Sequence, residues 1–180
     1  MCCKGTCALS TLIVILLILS FVLDISGCFS SMWYLIGGTQ TFLYSQIVVL
    51  FYGGIWSDCV SSQFFTTCES KETDWLKAVR AFSVSGFLLY FVAVVVVIVQ
   101  LCSKPKKKAL YIISVCLTFA GAICAMIAFV VYVIQATGKA REFFVGFYIT
   151  IAAFVFGILA GILESVNLIK ANSVKVEIIN

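Results

Sequence analysis

Four uninterrupted apolar stretches run through this chain, at residues 8–28, 82–101, 109–134 and 143–163, and they leave it few folds to choose from. Each meets the roughly 20 residues that a helix rising 1.5 Å per residue needs to cross the hydrocarbon core of a bilayer. Lipid offers backbone groups no hydrogen-bond partner, so stretches of this kind are expected to be helices. Asp24 is the one ionisable residue within them. Apolar residues make up 63% of the chain and charged ones 11%, against about half and a quarter in soluble domains. The expectation is a mainly α integral membrane protein, a single 180-residue domain folded as a left-handed-type four-helix transmembrane bundle.

The three connections are unequal. Residues 29–81 form a long first loop that holds nearly all the polar chemistry, residues 102–108 a short basic run, and residues 135–142 little more than a turn. Lys4, Lys104, Lys106, Lys107, Lys108, Lys170 and Lys175 fall on one side of a four-span chain, and Lys71, Lys77, Arg80, Lys139 and Arg141 on the other. The density of lysine in the short central loop places both termini in the cytosol and the long loop outside. The Lys-Pro-Lys-Lys-Lys run superficially resembles a nuclear-localisation or phosphate-binding patch, but a membrane-flanking anchor accounts for it. A cleaved signal sequence ending near Cys28 would leave the same side outside. The single Lys ahead of the apolar core and Asp24 at its end favour a retained first span.

The chain has no histidine, which removes the commonest general base, metal ligand and pH switch together. No nucleophile stands beside a base and no Gly-rich phosphate loop is present, so an enzyme is not expected. Nor is a cofactor, a metal or a nucleic-acid partner. The nine cysteines divide by compartment. Cys59 and Cys68 are the two lying clearly in the first loop, where oxidation is expected. A disulfide closing that short loop restricts the unfolded chain by roughly 2.7 kcal/mol in the entropy model. Cys28 sits at the membrane edge, and Cys116 and Cys124 inside the third span are packing residues. Cys2, Cys3, Cys7 and Cys102 cluster at the cytosolic boundary, where reversible palmitoylation suits them better than a metal.

The first loop reads as a small antiparallel sheet. Residues 33–36 and 41–52 are rich in β-branched and aromatic side chains, with Gly37-Gly38 and Gly53-Gly54 as turn punctuation. Residues 60–67 form a hairpin between the two cysteines. Trp33, then Gly54-Ile55-Trp56, Cys59 and Cys68 resemble the first-loop signature of the claudin, peripheral myelin protein and epithelial membrane protein superfamily. In that superfamily the signature is Trp, Gly-Leu-Trp and two cysteines, so Ile55 is a mild departure. The stretch from Trp75 to Ala81, which includes Arg80, looks like the family's opening of the second span. The runs Lys108–Ile112 and Ala120–Cys124 look like its third. The resemblance covers the whole four-span layout, with the specific signature occupying about 50 residues. It implies either a junction protein that assembles sideways through the first loop into a barrier or pore, or an accessory membrane protein that modulates a channel, receptor, adhesion complex or membrane domain. The resemblance also implies that the position after the second cysteine, here Glu69, helps set charge selectivity, with Asp58 nearby. The implied partners are lipid, further copies of the chain and related four-span proteins, at cell–cell contacts of the plasma membrane. The terminal residues 177–180 lack the apolar end that PDZ scaffolds capture, so docking to such a scaffold is not expected.

Two further expectations concern the spans. Ala153, Gly157, Gly161 and Ser165 recur every fourth residue, and Gly121 and Ala125 offer a similar face on the third span. Such faces allow close helix approach, inside the bundle or between molecules. Asp24 lies about one turn from the outer boundary, and Arg80 is its expected ion-pair partner.

Overall fold

The computed structural model describes residues 4–42, 45–62, 64–70, 72–103, 108–136, 142–143 and 145–177. Four helices, α1 (Lys4–Phe29), α2 (Asp74–Cys102), α3 (Lys108–Ala136) and α4 (Val145–Glu177), are all long and apolar enough to cross a membrane. Each packs on its neighbours in sequence, and α4 returns against α1 to close the bundle. Side chains such as Ile15, Val95, Ile123 and Leu159 stand half-exposed on the outside, forming an apolar skin that only lipid would solvate. The interior is built from small residues: Ala93, Ala122, Ala125, Ala128, Ala153 and Ala160 are fully enclosed. Small residues let the backbones approach, which in lipid is the main source of helix–helix contact.

The expected glycine faces point inwards. Gly121 and Gly157 leave a cleft that the Tyr90 side chain of α2 fills, with the Tyr90 hydroxyl occupying the place of a Gly157 Cβ. Gly161 receives the ring of Phe119, whose Cζ would lie 3.0 Å from a Cβ there. All three glycines are buried. Their packing is therefore within the bundle.

The helices outrun the apolar stretches that announce them. α2 begins at Asp74 rather than at residue 82, and α4 continues past residue 163 to Glu177. Hydropathy marks the lipid-facing part of a helix, whereas the backbone hydrogen-bond ladder continues over polar residues. Thr73, in extended backbone, precedes Asp74, whose carboxylate suits the positive end of the helix dipole.

Between α1 and α2 the chain makes β1 (Tyr34–Phe42), β2 (Ser45–Gly53), β3 (Ser57–Ser61) and β4 (Thr66–Ser70). A fifth strand, β5 (Glu142–Phe143), comes from the short connection between α3 and α4 and pairs with Tyr34 and Leu35. The antiparallel order is β4-β3-β2-β1-β5. Two details differ from the sequence expectation. Gly37 and Gly38 lie within β1, opposite Leu50 and Val49, and do not form a turn. The glycines can stay extended because the long β1–β2 register holds them on both sides. The last connection is also more than a turn, but a two-residue strand is too short for any alternating pattern to reveal. Cys59 and Cys68 face each other on β3 and β4 and form a disulfide.

Candidate functional site

The sheet is fastened to the bundle at the end of α1, where a helix leaves its last four carbonyls without partners. The Ser30 N–H donates to the Gly27 carbonyl at 3.2 Å, and two indoles add further donors. The Trp33 Nε1 donates to the Gly27 carbonyl at 2.8 Å, and the Trp56 Nε1 donates to the Cys28 carbonyl at 2.7 Å. An indole suits the task because it offers a donor and no acceptor on a large apolar body. Trp33 is completely buried, its ring 4.7 Å from that of Tyr132, and its backbone N–H donates to Gly53. Trp56 stacks on Phe29 at 6.0 Å.

The other signature residues complete this joint. Gly54 lies so close to the Ser30 carbonyl that any Cβ would collide with it. Ile55 is fully enclosed beneath the sheet, among Leu76, Val79 and Phe147. Arg80 donates from Nε to the Ile55 carbonyl at 2.7 Å and from its guanidinium to the Trp56 carbonyl at 3.3 Å. Its Cζ stands 5.1 Å above the Trp56 ring, a cation–π distance. Trp33, Gly54, Trp56 and Arg80 thus form one clamp joining the sheet to α1 and α2.

The clamp and the disulfide hold an acidic concavity at the β3–β4 edge. Asp58 and Glu69 are directly opposed across the two strands, one residue from the disulfide on each. Both line a hollow of about 260 Å³, with Ser70, Glu72 and Thr73. Glu72 adds a third carboxylate. Like charges placed directly opposite on a sheet cost stability. A concave surface of one sign concentrates counter-ions.

A family model described as PMP-22/EMP/MP20/Claudin family matches residues 5–164. The chain belongs to that family. The match takes in the sheet, the first three helices and the first part of α4, so within the PMP-22/EMP/MP20/Claudin family this is a multi-pass membrane protein. No curated protein matches the chain closely enough to count as a relative.

The remaining candidate residues of this family member are placed as follows. Asp24 and Arg80 do not meet. Asp24 is buried with both carboxylate oxygens lacking a hydrogen-bond partner, beside Gly86, where a Cβ would stand 2.8 Å from Oδ2. Gly86 lies six residues along α2 from Arg80, about 9 Å of helix rise, and Arg80 is engaged at the Ile55 and Trp56 carbonyls. The expected pair is corrected accordingly. In a double-variant cycle, Asp24→Asn and Arg80→Gln should be additive within about 0.5 kcal/mol, the figure for sites that share no contact. Asp24→Asn, which removes a buried charge, should cost less than Arg80→Gln in thermal unfolding. A coupling of 1 kcal/mol or more would restore the pair.

Glu164 is the acid that sequence overlooks. It lies just past the fourth apolar stretch, yet α4 carries it inside the bundle, where it is buried and accepts a hydrogen bond from Thr118 at 3.2 Å. Asp24 is therefore not the bundle's sole buried carboxyl. Cys102 is exposed at the end of α2, and Cys7 lies in α1. Cys2, Cys3, Lys71 and residues 104–107 lie outside the described residues.

Proposed function

We infer that this chain is a claudin-like junction protein of the plasma membrane that assembles sideways through its sheet. In this reading it forms or regulates a paracellular barrier or a cation-preferring path. The observation that carries the proposal is the convergence of Asp58, Glu69 and Glu72 on one exposed hollow that a disulfide and the tryptophan clamp hold rigid. A fixed ring or row of carboxylates along a narrow aqueous path attracts cations and repels anions. In this reading both termini lie in the cytosol and the sheet outside, which the lysine-dense central loop supports. The partners are lipid and further copies of this chain or related four-span proteins; catalysis has no part in the reading. The test is a dilution potential across epithelial cells stripped of their own claudins. The wild type should favour sodium over chloride, and Glu69→Lys should lower that ratio several-fold or reverse it. An unchanged ratio for Glu69→Lys, in a monolayer whose resistance the protein alters, ends the charge-selectivity reading.

A second reading, an accessory protein of the epithelial membrane or peripheral myelin kind, is favoured by one observation. The connection between α3 and α4 runs only from residue 137 to 144, and its described residues form the two-residue strand β5, so it offers little length for reaching a facing cell. Under either reading, Cys2, Cys3, Cys7 and Cys102 are acylation sites at the cytosolic face. Acyl-exchange labelling should vanish in the quadruple serine variant, and undiminished labelling would remove the assignment.

A further inference from the structure

On the outside of the bundle, α3 and α4 leave between them an apolar groove of about 290 Å³. Its lining is Met126, Phe129 and Val130 of α3, and Ile151, Phe154 and Val155 of α4, with the buried Thr150 alongside. Met126, Val130 and Val155 are exposed and belong to the apolar skin that faces lipid, so the groove is continuous with the membrane-facing surface. These residues lie five to ten positions from the sheet-side helix ends at Ala136 and Val145, or about 8–15 Å down each helix. In a hydrocarbon core about 30 Å thick, that depth belongs to the leaflet on the sheet's side.

The groove is held open by its surroundings. The Phe129 ring packs 5.1 Å from Phe147, which in turn stacks on Phe143 of β5 at 4.2 Å. The Thr150 hydroxyl donates to the Gly146 carbonyl at 3.1 Å. Walls fixed in this way do not swing inwards, and an unfilled groove forfeits the dispersion contacts of its lining.

Two features select what fills it. Another transmembrane helix needs small residues to bring its backbone close. At this level the small residues of α3 and α4, Ala125, Ala128, Ala153 and Gly157, are buried in the bundle, while bulky Met126, Val130 and Val155 stand at the surface and hold a helix away. A thin, flexible occupant passes between them. Among the described lining residues only Thr150 carries a polar side-chain atom, and that hydroxyl is engaged at Gly146, so nothing recommends a polar ligand. A methylene is close to a water molecule in volume, so the space suits a run of about ten methylenes.

We propose that the α3–α4 groove is a binding site for one acyl chain of a lipid in the sheet-side leaflet. Lipid at this site packs on Phe129 and Phe154 and is held longer than lipid on the convex helix surfaces. The site depends on the bundle alone and not on any junctional role.

The experiment places the full chain in phosphatidylcholine vesicles containing a small fraction of phosphatidylcholine with a photoactivatable diazirine in mid-chain. Adducts are mapped by mass spectrometry after irradiation. Leu19 and Val22 of α1, exposed at a similar depth, are the internal reference. The expected result is several-fold more adduct on residues 126–130 and 150–155 than on residues 19–22. Val155→Trp, a change at an exposed position that fills the groove, should remove the excess and leave the α1 adducts unchanged. Should that variant fail to fold, Val130→Phe makes the same test from the opposite wall. Equal labelling of groove and reference would overturn the proposal, as would an excess that survives both substitutions. Labelling of the groove below the reference would assign it to a contact with a second copy, and loss of the excess on adding unlabelled sterol would assign it to a sterol; either overturns the acyl-chain site.

Discussion

Gly157→Ala should destabilise the bundle by about 1–3 kcal/mol, the usual cost of forcing atoms into a filled core, and Gly157→Leu should abolish folding and surface expression. The reason lies on another helix. The Tyr90 hydroxyl occupies the site of the new Cβ, with the Tyr90 Cζ and Cε1 2.7 and 2.9 Å from it, so no small adjustment admits the methyl group. Tyr90 is fully buried, and Gly121 on α3 walls its other side, with the ring carbons 3.2 Å from a Cβ there. The ring therefore has nowhere to retreat. Tyr90→Phe removes the nearest clashing atom, and it also deletes a buried hydroxyl that has no hydrogen-bond partner. The double variant Gly157→Ala/Tyr90→Phe should accordingly recover part of the lost stability, a favourable coupling of about 1 kcal/mol between contacting residues. Thermal unfolding of the four proteins in detergent measures it. Strictly additive losses, or normal expression of Gly157→Leu with smaller oligomers on native gels, would move Gly157 from the bundle interior to a contact between molecules.

The second large effect belongs to Trp33. Trp33→Ala empties a completely enclosed site against Tyr132, which costs about 3–5 kcal/mol for a buried tryptophan. It also leaves the Gly27 carbonyl without the indole donor at the end of α1, worth about 1 kcal/mol more. Losses of that size rival the whole stability of a typical domain. The variant should therefore reach the cell surface poorly and form the Cys59–Cys68 disulfide incompletely. Trp33→Phe separates the two contributions, since it keeps most of the apolar body and removes only the donor. It should fall between wild type and alanine. Trp56→Ala should be milder than Trp33→Ala, because Trp56 is 38% exposed while making the equivalent bond to Cys28. Equal unfolding temperatures for wild type and Trp33→Ala would contradict the clamp.

What could be read from the sequence was whatever depends on long runs or on chemically distinctive residues. Four apolar stretches of bilayer length give the bundle, and two cysteines in the long first loop give the disulfide. Trp33, Gly54, Trp56 and Arg80 stand out as a pattern, but their shared purpose does not. The pattern cannot show that both indoles donate to the last carbonyls of α1, or that Arg80 grips the backbone of the signature itself. That grip is why the expected Asp24–Arg80 pair fails: proximity along the membrane normal is not contact, and the guanidinium has nearer acceptors. Glu164 escaped notice because hydropathy ends a span where polarity returns, while the helix continues and turns that residue inwards. β5 escaped because two residues have no periodicity. The acidic hollow was half legible: Glu69 and Asp58 could be named, but only the β3–β4 register sets them face to face, and Glu72 joins them from the chain beyond β4.

The most direct test of the junctional account is the electrical resistance of a claudin-free epithelial monolayer expressing the chain, measured together with its enrichment at contacts between two expressing cells. The account predicts enrichment at those contacts, a resistance that departs from untransfected cells, and loss of both in Cys59→Ser/Cys68→Ser, whose β3–β4 edge is no longer held. Wild-type protein spread evenly over the surface, with resistance unchanged, would contradict it and transfer the function to the accessory class.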